Sequence, residues 1–252
     1  MSELTLSLIG IGCGDPEQLT RQAIRAINAA DLVLIPRKGD EKSDLADLRR
    51  TICADVLTNA ATRIIEFDLP MRDAAREDYR GGVDDWHNAV AAAWSTEIAR
   101  HLASKGRVAM LIWGDPSLYD SSLRIARRLK PAPLIEVIPG ITSIQALCAA
   151  HRIPLNEIGE PALVTTGRRL REGGFPTGVD TIVVMLDGGT AFQSLDPKGL
   201  FIWWGAYLGM EGEITLAGPL DETAATIAAA RAEARARHGW IMDSYIIKRA
   251  SV

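Results

Sequence analysis

Residues 4–36 read LTLSLIGIGCGDPEQLTRQAIRAINAADLVLIP: a strand, a glycine turn, a helix and a second strand. LTLSLIGI at 4–11 is a short apolar run closed by glycines, the pattern of a strand buried on both faces. Leu19, Ala23, Ile27 and Ala30 recur at helical spacing behind Pro16, so a helix is expected over 17–30. A second strand over 31–35 ends at Pro36. Strand, crossover helix and strand in this order imply parallel pairing.

The same alternation continues outward. Helices are expected over about 43–57, 84–105, 123–129, 142–151 and 221–238, and strands over 63–69, 108–113, 135–138, 163–166, 181–186, 200–204, 214–217 and 244–248. The pattern is α/β throughout. A composition shift near 115–122 places the domain boundary, giving an N-terminal α/β domain over 1–118 and a C-terminal α/β domain over 119–252.

Three glycine-containing turns leave the expected carboxyl ends of strands: GIGCGDP at 10–16, WGDP at 113–116 and IPGITS at 138–143. Ligands of open α/β sheets bind in that crevice. The first turn is not a dinucleotide fingerprint, because Asp15 replaces the third glycine and no acid closes the second strand. Each turn alone also reads as an ordinary tight turn.

Composition narrows the function classes. The 252 residues are 47% hydrophobic and 24% charged, ordinary for a globular protein, with a formal net charge of −4. No clustered Lys and Arg offer a nucleic-acid footprint, so no nucleic-acid partner is expected. Cys13, Cys53 and Cys148 lie far apart, and the histidines share no ligand spacing, so no metal site or disulfide framework is expected. Neither a signal peptide nor a membrane-length apolar run is read, and a cytoplasmic location without a membrane partner is expected.

Taken in order, GIGCGDPEQLT, WGDPSLY, PGITSIQALCAAHRIPL and TIVVML resemble the signature segments of the tetrapyrrole methylases, which methylate uroporphyrinogen and precorrins from S-adenosylmethionine. That resemblance implies two α/β domains with an active-site cleft between them, S-adenosylmethionine as methyl donor and S-adenosylhomocysteine as product, a tetrapyrrole substrate and a homodimer. MLDGG at 185–189, FIWWGAYLG at 201–209 and HGWIMDSYIIKR at 238–249 resemble the family's deacetylating branch. The implied reaction is methylation of C1 of precorrin-5, with the C20 acetyl group released as acetate, in the aerobic route to cobalamin.

Matched residue by residue, the resemblance implies donor contacts from Cys13, Trp113, Gly114, Asp115, Leu118, Thr142, Ser143, Leu186, Ala206, Ile241 and Met242. Cys13, Trp113 and Leu186 depart from the commonest family residues, a change that a backbone-mediated site tolerates. Deacetylation asks for a general base and an oxyanion donor. Asp115, Asp187 and Asp243 are candidate bases, with Tyr119 or Tyr207 as donors. Asp115 before Pro116 and Asp187 before two glycines also read as turn formers. The substrate's carboxylates suit Arg37 and Lys38 after the second strand, and Arg168, Arg169 and Arg171 after Thr166-Gly167. Two other readings stay open: a methyltransferase acting at another ring position, and a non-catalytic ligand-binding module.

Overall fold

The computed structural model describes residues 3–37, 43–71, 78–102 and 105–249. The chain forms two compact units. The first comprises Met1–Gly12 and Pro16–Ile141; the second comprises Cys13–Asp15 and Thr142–Val252.

The first unit is built from β1 (Glu3–Gly10), α1 (Arg21–Asn28), β2 (Leu32–Arg37), α2 (Ser43–Val56), β3 (Arg63–Asp68), α3 (Tyr79–His101), β4 (Lys105–Ile112), α4 (Ser122–Ala126) and β5 (Leu134–Ile138). Its five strands are ordered β3-β2-β4-β1-β5 and all pair in parallel. β1 is central, and alternation sorts its side chains between two cores. Leu4, Leu6 and Leu8 join Val90, Trp94 and Ile98 of α3 and Ile125 of α4. Ile9, with Ile11 just beyond the strand, joins Ala23 and Ile27 of α1 and Ile52 and Cys53 of α2. Burying each such Leu or Ile contributes about 1.5–3 kcal/mol.

The expected helix over 17–30 divides. Pro16–Gln18 is a single 3-10 turn, and α1 starts only after Thr20, whose Oγ1 accepts the Ala23 N–H at 3.0 Å. The helix expected over 84–105 starts earlier, behind the Asp78 cap, and ends at His101. Gly106, directly after that expected helix, lies inside β4 with φ +134, where Asp31 accepts the Arg107 N–H at 2.7 Å.

The second unit contains α5 (Ser143–His151), β6 (Ala162–Thr166), α6 (Gly167–Gly173), β7 (Thr181–Met185), β8 (Leu200–Ala206), β9 (Ile214–Pro219), α7 (Leu220–His238) and β10 (Asp243–Arg249). Its sheet runs β6-β7-β10-β8-β9, with β6 and β7 parallel and the other pairs antiparallel. The division follows Ile141 rather than residue 118, because β5 hydrogen-bonds beside β1 and so belongs to the first sheet. No helix among the described residues is long and apolar enough to cross a membrane.

Candidate active site

In the first unit, the ends of β1, β4 and β5 bring Gly10, Gly114 and Gly140 into backbone contact. A Cβ on Gly10 would lie 2.5 Å from the Gly140 nitrogen, and one on Gly140 would lie 2.1 Å from the Gly114 oxygen. Only glycine permits that approach. The Gly114 N–H donates to the Gly12 carbonyl at 2.8 Å, and both residues hold positive φ. The three turns singled out from sequence are therefore one packed cluster at the carboxyl ends of adjacent strands.

Asp115 locks that cluster. Its Oδ2 accepts the Gly140 N–H at 2.9 Å and its Oδ1 the Ser117 N–H at 2.8 Å. Partial burial works against the carboxylate, but hydrogen bonds from the Ser117 side chain, Gly140 and Ser117 N–H outweigh it and hold the pKa below the usual value. Asp115, expected as a candidate base, thus also anchors this turn. Trp113 and Leu118 beside it are half-buried. Tyr119 is 44% exposed at φ +50, and burial of its phenol raises that group's pKa. A tyrosine held there is strained and open to a ligand.

In the second unit, strand register collects most of the other expected donor contacts. Asp243 pairs with Ala206 and Tyr245 with Val184, so the chain just past β7, the end of β8 and the start of β10 share one edge. Leu186, Ala206 and Met242 stand there, and the Tyr207 N–H donates to the Met242 carbonyl at 3.0 Å. Leu186 is 64% exposed at φ +51, an apolar side chain held outward in a conformation that favours glycine. Ile241 and Met242 are half-buried.

α5 runs with His151 against the Trp204 carbonyl and Leu147 against Gly205, so its N-terminus points toward the Ala206 end of β8. Thr142 caps that terminus in a reciprocal box with Gln145. The Ser143 Oγ is buried without a hydrogen-bond partner among the described residues. A helix N-terminus with a hydroxyl unsatisfied among the described residues, directed toward the sheet edge that carries Leu186 and Met242, suits a ligand with one carboxylate and one flat aromatic part. S-Adenosylmethionine has both. Cys13, in this unit, is buried, and burial pushes its thiol up to about 12, which fits packing rather than nucleophilic chemistry.

The other candidate bases lie among protein partners. Asp187 is fully covered, with Oδ1 accepting Arg171 at 2.7 Å and the Gly189 N–H at 3.1 Å, and Oδ2 accepting the Ala191 N–H at 2.7 Å and the Tyr245 hydroxyl at 2.9 Å. Burial opposes the charge, yet these bonds hold its pKa below the usual value. Asp243 accepts Arg231 at 2.9 Å and the Trp204 indole N–H at 2.9 Å. Burial pushes its pKa up against the pull of Arg231. Both carboxylates, expected as candidate bases, are covered and hydrogen-bonded to protein groups. Tyr207 is likewise buried, its hydroxyl donating to the Trp240 carbonyl at 2.6 Å.

The expected substrate cations do not form one group. Arg37 pairs with Asp68 at 3.0 Å on the surface. Lys38 lies outside the described residues. Arg168 and Arg169 are exposed on α6, a helix that the sequence periodicity does not predict, and Arg169 lies 3.8 Å from Glu172. Arg171 is committed to Asp187. Sequence reading missed Arg231, buried within an Ala-rich helix. The signal was there: residues 220, 227, 231 and 234 form α7's buried stripe.

Residues 5–224 match the profile of the family described as tetrapyrrole (corrin/porphyrin) methylases. A Sinorhizobium protein named precorrin-6A synthase [deacetylating] is 48% identical over 97% of this chain and 95% of its own. The uroporphyrinogen-III C-methyltransferase of Bacillus subtilis is 26% identical over 86% of this chain and 82% of its own. Among solved structures, a cobalamin-synthesis-related protein, CobF, of Corynebacterium diphtheriae superposes with a TM-score of 0.85 at 38% identity, covering 99% of this chain and all of that one (100%). A Thermus thermophilus uroporphyrin-III C-methyltransferase, solved with S-adenosylhomocysteine, shares the fold at a TM-score of 0.57 and 21% identity, covering 97% of each chain.

Proposed function

Because the chain belongs to the tetrapyrrole (corrin/porphyrin) methylases, which makes it an S-adenosylmethionine-dependent methyltransferase, we propose that it methylates C1 of precorrin-5 and releases the acetyl group as acetate, giving precorrin-6A. The carrying observation is the 48% identity, across nearly both full lengths, with a protein named for that reaction. Cytoplasmic location and a homodimer are part of the same reading.

Thr142 and Ser143 at the start of α5 would hold the donor's carboxylate end, and Leu186, Ala206, Ile241 and Met242 its adenine side. In the first unit, Gly114 and the loop fixed by Asp115, with Trp113 and Leu118, are the donor contacts that family membership suggests. Bound S-adenosylmethionine supplies an already electrophilic methyl group. The protein's task is then alignment, which can lower a barrier by about 7–11 kcal/mol. A rigid glycine cluster and saturated Asp anchors serve that task.

Acetyl removal needs a water and an oxyanion donor. Water adds to the acetyl carbonyl, the bond to the ring breaks, and the ring takes the electron pair. Tyr119, exposed and conformationally constrained beside the glycine cluster, is our donor to the acetyl oxygen. Incubation with precorrin-5 and methyl-labelled donor tests the reading. Label in the tetrapyrrole together with free acetate supports it. Label with the acetyl retained reassigns the ring position, and no transfer contradicts it.

A further inference from the structure

The first unit holds a cavity of about 190 Å³ at the carboxyl ends of β2 and β4. Arg49, Asp120, Trp86, Trp94 and Trp113 are among its walls. Arg49 reaches it from α2, where its Nε donates to the Leu111 carbonyl at 2.9 Å and its Nη1 to the Leu45 carbonyl at 2.9 Å. Among the described residues nothing hydrogen-bonds its Nη2, and no carboxylate forms an ion pair with it. Asp120 attracts it across the cavity, while its own Oδ1 accepts the Ser122 N–H at 2.6 Å. Burial depresses the Arg49 pKa to about 10 and outweighs the opposing charge of Asp120. The guanidinium still carries its charge at neutral pH, so among the described residues a half-buried cation stands without a direct counter-ion and with one edge of its fork open.

Size and lining narrow what fits. The cavity exceeds a water's share of about 30 Å³ several-fold, yet falls below the ~300–1,000 Å³ of a whole small-molecule site. Its apolar lining includes three tryptophans among aliphatic side chains, and the Trp94 N–H is buried without a partner among the described residues. Arg pairs best with a planar carboxylate.

We propose that this cavity is a subsite for a short carboxylate of two or three carbons, with Arg49 as its anchoring cation and the tryptophans as its apolar wall. Two sources share that chemistry: the acetate released in the reaction proposed above, or a carboxylate arm of the tetrapyrrole. The choice between them rests on that proposed function; the binding of a carboxylate does not. The negative Asp120 weakens any anion there, which sets free acetate affinity on the order of millimolar.

Acetate is titrated into the whole chain and tryptophan fluorescence followed, with chloride at equal ionic strength as the control. The wild type gives a saturable change. Arg49→Gln weakens it at least tenfold, Arg49→Lys less, and Asp120→Asn tightens it. Melting temperature and S-adenosylhomocysteine affinity report folding; should Arg49→Gln not fold, Arg49→Lys and Asp120→Asn carry the test. Superimposable titrations in the wild type and the folded variants overturn the subsite. Turnover identifies the source. Inhibition of the wild type by acetate, with an unchanged tetrapyrrole KM in the Arg49 variant, assigns released acetate; a KM raised at least tenfold assigns an arm of the ring. Absent methyl transfer in every chain would overturn the proposed function alone, since the acetate titration is read without turnover.

Discussion

The Arg231 guanidinium donates to the Asp243 carboxylate at 2.9 Å, with the two side chains 9% and 4% exposed. The same arginine donates through Nη2 to the Asp187 carbonyl at 2.7 Å, tying α7 to the end of β7 and the start of β10. One buried cation thus braces the edge where Leu186, Ala206 and Met242 stand. Arg231→Ala leaves Asp243 buried and unpaired, and is expected to destabilise the chain by about 3–5 kcal/mol. Replacing both partners, as Arg231→Met with Asp243→Asn, should recover much of that loss. Chemical denaturation of the two variants measures it; equal losses would contradict the pairing.

Asp187 gives this edge a pH signature. Its folded pKa lies below the unfolded carboxylate value of about 3.9, so its contribution is fully present above that value and is lost as pH falls through the folded value. The stability gap between the wild type and Asp187→Asn should therefore be constant from pH 7 to about 5 and close on further acidification. A gap that widened with acid would refute the assignment.

Leu186 offers a separation of stability from binding. Leu186→Gly relieves a left-handed conformation while losing little burial, so stability should stay level or rise by up to about 1 kcal/mol. Donor affinity should fall about tenfold as an apolar wall is lost, or ~1.4 kcal/mol. Calorimetric titration with S-adenosylhomocysteine, set beside melting curves, reads both. Unchanged affinity would remove Leu186 from the donor site.

The glycine cluster should tolerate no side chain. Gly140→Ala places a carbon 2.1 Å from the Gly114 oxygen, a backbone atom with nowhere to go. A loss of about 1–3 kcal/mol is expected, with weaker donor binding. A variant of wild-type stability and affinity would show that the turns do not pack as described.

Cys13 should resist alkylation. With its thiol pushed to about 12 and its side chain buried, the native chain at pH 8 should leave it unmodified by iodoacetamide, while denatured chain reacts. Peptide mass spectrometry gives the result, and rapid labelling in the native state would contradict the burial.

Much of the fold is readable from periodicity. The β1–α1–β2 opening, the glycine turns and the α7 limits follow from apolar spacing and from the Thr20, Thr142 and Gly239 caps. α6 was hidden because GRRLREG carries a single apolar residue and no repeat; Thr166 starts that helix by accepting the Arg169 N–H at 3.4 Å. The mixed second sheet was hidden because β10 inserts between β7 and β8, and strand order is not written in any one strand's alternation. At the site, the turns that pack together were legible through glycine chemistry. The partners of Asp115, Asp187 and Asp243 were not, since a carboxylate's hydrogen bonds come from residues distant in sequence or from backbone N–H groups that no side-chain pattern marks.

The most direct test of the proposed function is the ratio of products in one reaction. With precorrin-5 and S-adenosylmethionine, acetate and S-adenosylhomocysteine should appear in equal amounts, and the tetrapyrrole should gain one methyl group and lose one acetyl group by mass spectrometry. S-Adenosylhomocysteine formed without acetate, the acetyl group staying on the ring, would contradict the deacetylating assignment.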